Sequence, residues 1–157
     1  MASTPDDRLR ELGIELPDPA SPVATYRMAK RHGDTLYLSG HVGLALDGSG
    51  VIAGKVGADL SLDEGYQAAR ITTLQLLATL RSELGSLAAV ASVLKVFAMV
   101  NAAPGFTDIP KVADGCTDLL VEVFGEEVGK PARAAVGMAE LPLNAAVEID
   151  LIAALSG

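Results

Sequence analysis

The chain has 157 residues, half of them hydrophobic, and a formal charge of −8 from 12 basic and 20 acidic side chains. That length suits one domain with a sizeable core rather than two, and the acidic balance repels phosphate backbones and anionic lipid surfaces. A single cysteine, Cys116, excludes an internal disulfide, and with two histidines it leaves too few ligands for a structural zinc centre. A reducing, cytoplasmic setting is the expectation. The opening run Asp6-Asp7-Arg8-Leu9-Arg10-Glu11 has no apolar signal region, and no stretch approaches the roughly 18 apolar residues of a membrane span. With 4% aromatics and no Trp, the core must be built from Ala, Val, Leu and Ile, with apolar surface to spare for self-association.

In chain order, residues 1–16 suit a short charged helix, and Pro17, Pro19 and Pro22 then impose an extended segment. Residues 1–22 therefore read as an N-terminal extension, with order beginning near Val23 and one domain over 23–157. Ala24 to Lys30 and Thr35 to Ser39 form a predicted hairpin around Gly33-Asp34. Six glycines between Gly40 and Asp59 predict a loop, interrupted at most by a short strand near Val51 to Lys55. Ser61-Leu62-Asp63-Glu64 is a capping box that starts a helix, which Gly85 closes with a left-handed cap. Ala91 to Asn101 is apolar on both alternating faces, so it needs cover on both sides. Asp108 and Pro110 open a second helix whose apolar face is Val112, Cys116, Leu119, Leu120 and Val123, ending at Gly125. Ala132 to Glu140 and Ala146 to Ala154 are the last two strands. The expected architecture is an α+β sandwich with both helices on one face of the sheet, leaving an apolar face for a homo-oligomer to cover.

Several motifs fail on inspection. Gly48-Ser49-Gly50 precedes no helix, so no helix N-terminus can meet a pyrophosphate there. Gly54-Lys55 is followed by Val56 where a phosphate-binding loop requires Ser or Thr. Ser39-Gly40-His41 lacks a nucleophile elbow and reads as a strand-end serine beside an exposed histidine.

Arg133 stands out, because its strand is otherwise made of small apolar residues. A guanidinium in that setting requires an anion. One candidate is a ligand carboxylate, whose two oxygens match the guanidinium fork. The other is an intersubunit salt bridge to Glu148 or Asp150, which share one face of the last strand.

The segment from Ala132-Arg133 through Leu141-Pro142 to Val147-Glu148-Ile149-Asp150 resembles the C-terminal signature of the RidA/YjgF family of enamine/imine deaminases. Leu38-Ser39-Gly40, Tyr26 thirteen residues before Ser39, Gly57-Ala58-Asp59-Leu60-Ser61, and Leu119 to Gly125 extend the likeness over residues 23–154. The resemblance implies a chorismate-mutase-like fold, a homotrimer with sheets packed into a central barrel, and clefts between subunits. It also implies that Arg133 binds a substrate carboxylate and Glu148 activates water. Tyr26 would close the cleft, and Ser39 and Gly40 would line it. Asp114 stands at a substrate-binding position where many relatives carry Asn, His41 where many carry Gln, and Thr25 where proline is common. The implied reaction hydrolyses a 2-aminoacrylate-type imine to a 2-oxo acid and ammonia, with no metal or organic cofactor. A non-enzymatic ligand-binding or regulatory trimer is the alternative; a nuclease role runs against the charge of −8. If the last two strands pair directly around Leu143-Asn144, Arg133 and Glu148 lie roughly 20 Å apart in one chain. A shared site would then take one residue from each of two subunits.

Overall fold

The computed structural model describes residues 3–157. Helix α1 (Pro5–Glu11) starts at a Thr4–Asp7 capping box. Strands β1 (Ala29–His32) and β2 (Thr35–Val42) follow as the expected hairpin, but the first strand begins five residues later than the pattern suggests. Residues 24–28 run instead through bends, where Tyr26 N donates to Ala24 O at 2.9 Å. Helix α2 (Leu62–Leu84) carries the Ser61–Glu64 capping box, and Gly85 ends it at φ 79°. Strand β3 (Val90–Asn101) leads to helix α3 (Ile109–Gly129), strand β4 (Ala132–Met138) and strand β5 (Val147–Leu155).

The α+β expectation holds: five strands in the order β1-β2-β5-β3-β4 carry the helices on one face. Alternation along β5 buries Val147, Ile149, Leu151, Ala153 and Leu155 against the helices and turns Glu148, Asp150 and Ile152 to the open face. On β3, Val93, Val96, Ala98 and Val100 are buried, whereas Lys95, Phe97 and Met99 are only half-buried. The open face thus presents Phe97, Met99, Ile152 and the exposed Tyr37 and Val136.

Four expectations are corrected. The last two strands do not pair with each other: β3 lies between them, parallel to β4 and antiparallel to β5. A direct hairpin needs a tight reversal, whereas Leu141 to Ala146 crosses over β3 through a 3-10 turn at Pro142–Asn144. Packing also begins ahead of Val23, since Leu9 and Leu16 join the buried core and the Asp6 carboxylate accepts from Ser86 Oγ and Leu87 N. Asp108 makes no side-chain cap; it pairs with Lys111 at 3.1 Å. Gly125 (φ 80°, ψ 168°) breaks α3 where the helix end was expected, but one more turn runs on to Gly129. The glycine-rich segment is a loop as expected, with single bridges joining Leu44 to Val51 and Ala53 to Ala145.

Candidate active site

Arg133 lies on the edge strand β4 and faces the helices. Its Nη1 donates to Asp114 Oδ1 at 2.8 Å and to Thr117 Oγ1 at 3.1 Å, both on α3. An anion of the kind the sequence demands is therefore present in the same chain, one layer above. Thr117 went unnoticed in the sequence. Its signal was the three-residue spacing from Asp114, which puts both side chains on one helix face. Nε and Nη2 of Arg133 meet no acceptor among the described residues. Arg133 lines a cleft of about 520 Å³ together with Thr117, Val121, Pro131, Lys130 and the acidic Asp118, Glu122 and Glu126.

Glu148 occupies the opposite face of the sheet, between Val42 on β2 and Met99 on β3. Half-burial first, and the neighbouring Asp150 second, push its carboxyl above the ordinary glutamate value. Asp150 is likewise raised, chiefly by burial. Gly40 makes room for Glu148: a Cβ there would collide with Oε1 and stand 3.1 Å from the carboxyl carbon. These two residues, far apart in sequence, form one unit.

Tyr26 is exposed near the β1 edge, in a cleft with Pro22, Met28 and Thr79. Ser39 Oγ donates to Arg27 O at 2.6 Å and Ser39 N to Met28 O at 2.9 Å, so Ser39 holds the Tyr26 segment to β2. His41 is not exposed as expected. It is 2% accessible, with Nδ1 against Ser39 O and Nε2 2.8 Å from Thr79 Oγ1, and burial lowers its pKa. A register shift between Leu38 and His41 turns it inward. Burial pushes the Cys116 thiol up to about 11, so it is no nucleophile at neutral pH.

Within one chain these groups remain apart. Arg133 pairs with Val96, three residues along β3 from Met99, the partner of Glu148. Two strand spacings and three residue rises separate their backbones by about 14 Å, and their side chains leave opposite faces.

A family profile described as "YjgF/chorismate mutase-like, putative endoribonuclease" matches residues 6–155. The chain belongs to the RidA/YjgF family. Protein TCP17 of Trypanosoma cruzi is 43% identical over 148 residues, covering 94% of this chain and 92% of the relative. A 2-iminobutanoate/2-iminopropanoate deaminase of Dermatophagoides farinae is 31% identical over 139 residues, covering 88% of this chain and 92% of the relative. Among solved structures, a Shewanella oneidensis protein described as a "putative endoribonuclease" superimposes with a TM-score of 0.92 at 34% identity, over 97% of this chain and 99% of its own. The RidA/YjgF fold is thus shared over residues 6–155. No helix among the described residues is long and apolar enough to cross a membrane.

Proposed function

We propose that this chain is an enamine/imine deaminase that hydrolyses small 2-imino acids at clefts between the subunits of a homotrimer. The observation that carries the reading is the state of Arg133. Asp114 and Thr117 fix Nη1, leaving the Nε–Nη2 edge, the bidentate edge for a carboxylate, without a partner among the described residues. A substrate carboxylate docked there places its imine carbon a fixed distance away. Glu148 serves as base: its raised pKa brings it nearer the working pH. Water adds to the C=N carbon while Glu148 takes its proton. Glu148 returns that proton to the nitrogen to give the carbinolamine, whose hydroxyl proton then passes to the amine; the C–N bond breaks, ammonia leaves, and the oxygen becomes the carbonyl of the 2-oxo acid.

The trimer is part of the same proposal. Tyr26 and Ser39 belong to the β1–β2 side of the sheet, Arg133 to the far edge and Glu148 to the open face, so a site using all of them takes residues from two chains. The half-buried Phe97, Met99 and Ile152 supply the apolar face such packing would cover. The charge of −8 weighs against a polyanionic substrate such as RNA. The test is release of ammonia and 2-oxo acid from enzymatically generated 2-iminopropanoate. Turnover above the spontaneous rate supports the deaminase; saturable ligand binding without turnover favours the non-enzymatic alternative.

A further inference from the structure

No step of the proposed reaction uses the buried His41, yet both of its ring nitrogens have partners. Nδ1 stands 2.6 Å from Ser39 O, and Nε2 stands 2.8 Å from Thr79 Oγ1 on α2. A carbonyl oxygen can only accept, so Nδ1 carries the proton and donates it there; Nε2 then accepts from the Thr79 hydroxyl. Thr79 is itself only 2% exposed, so neither partner can turn to water instead. The ring is a strut between helix α2 and the backbone of β2.

The backbone it holds is a bulge. Leu38 pairs with Leu151 and His41 with Ile149, so Ser39 and Gly40 together stand opposite the single residue Asp150. Every polar group of Ser39 is engaged: its N and Oγ donate to Met28 O and Arg27 O, and its carbonyl accepts from His41. Gly40 follows directly, where a Cβ would run into Glu148 Oε1. His41 packs toward α2 and Glu148 lies on the open face, so the two are linked through this bulge alone. Without the extra residue, regular alternation would turn His41 outward, to the face that carries Glu148. The strut keeps the ring inward and the bulge open.

We propose that His41 is a positioning residue for the deaminase reaction, fixing the Glu148 carboxylate through the Ser39–Gly40 bulge. The role rests on Glu148 acting as the base. A glutamate side chain has several rotamers open to it, and Gly40, held in place, leaves the space that Oε1 fills. A bulge that slides or closes takes that space away, and a small displacement of a base costs much of its rate. Arg133 lies on the far edge strand of the sheet, so the substrate carboxylate keeps its anchor. Loss of the strut therefore lowers kcat far more than it raises KM.

The experiment compares His41→Gln, His41→Leu and Thr79→Val in the intact protein. A glutamine amide offers an N–H to Ser39 O and a C=O to the Thr79 hydroxyl, so it can replace the neutral ring; leucine offers neither. The Glu148 carboxyl is followed across pH by carbon NMR, assigned with Glu148→Gln, beside kcat and KM for 2-iminopropanoate. His41→Leu should lower kcat by about tenfold or more with KM within about threefold. It should also move the Glu148 titration down toward the ordinary 4.5, as the carboxyl swings into water. Thr79→Val, which keeps the shape of threonine, should act in the same direction and carries the test if His41→Leu does not fold. His41→Gln should keep both the titration and kcat. A Glu148 titration left unchanged by His41→Leu and Thr79→Val, whatever happens to Tm, would overturn the proposal, and so would a His41→Gln protein as impaired as His41→Leu. If the wild type turns over no imine while the titration still shifts in His41→Leu and not in His41→Gln, the coupling of His41 to Glu148 stands and the deaminase reading falls.

Discussion

Gly40 and Glu148 occupy each other's space: the missing Cβ of one is where the carboxylate of the other lies. Glu148 ends a flexible side chain, so Gly40→Ala can be relieved by swinging the carboxylate away. The expected outcome is a large functional effect with a small structural one. Displacing a base by about 1 Å costs on the order of 100-fold, so kcat should drop by at least tenfold. Stability should change by less than about 1 kcal/mol. Steady-state kinetics beside thermal melts would check this.

Arg133→Ala should leave the protein folded and remove turnover of carboxylated imines. Losing a charge-assisted bidentate contact costs about 2–5 kcal/mol, or roughly 30- to 4000-fold in kcat/KM. Lys should rescue little, because a point charge lacks the fork.

Asp114→Asn separates orientation from charge. Its amide oxygen still accepts from Nη1, but the carboxylate that competes with an anionic substrate is gone. The partly exposed Arg133–Asp114 pair (side chains 23% and 46% accessible) is worth at most about 1 kcal/mol, so folding should be nearly unchanged. KM for a carboxylated imine should fall several-fold, by the same order of magnitude in energy. Asp114→Ala, which also loses the orienting acceptor, should raise KM instead.

The raised carboxyl of Glu148 gives two pH signatures. As a base it must be deprotonated, so the acid limb of kcat/KM should lie above the ordinary glutamate value of 4.5. For folding, the native state holds its proton longer than the unfolded chain, so this group's contribution declines as pH rises through that window. Glu148→Gln should therefore raise Tm at pH 7 and lose the advantage toward pH 4, while turnover collapses.

His41 behaves in the opposite sense. Burial lowers its folded pKa below 6.5, so the unfolded chain binds the proton first and stability is lost as pH falls through that value. Urea unfolding between pH 7.5 and 5.5 should show a decline that His41→Gln flattens.

Much of the fold was legible because its signals are local. The Ser61–Glu64 box, the Gly85 cap and the helical spacing of Leu76, Leu77 and Leu80 each specify one element without reference to the rest. Strand order was not legible, since residues 132–138 pattern equally well beside β3 or β5; only the crossover at Pro142–Asn144 decides. The Arg133 environment was half-readable. Its need for an anion follows from its neighbours, but Asp114 and Thr117 reach it only through the packing of α3 on β4. His41 was misread because a register shift on β2, invisible in an alternating pattern, turned it inward.

The sharpest test mixes Arg133→Ala protein with Glu148→Gln protein under conditions of subunit exchange confirmed by mass spectrometry. Neither variant alone should turn over imine. If each cleft takes Arg133 from one chain and Glu148 from the next around a closed ring, an equal mixture restores both residues at one half times one half, or about a quarter, of the interfaces. Activity should recover to about that fraction of wild type. No recovery despite exchange would place both residues in one chain's site, or deny one of them a part in the reaction, and would contradict the account.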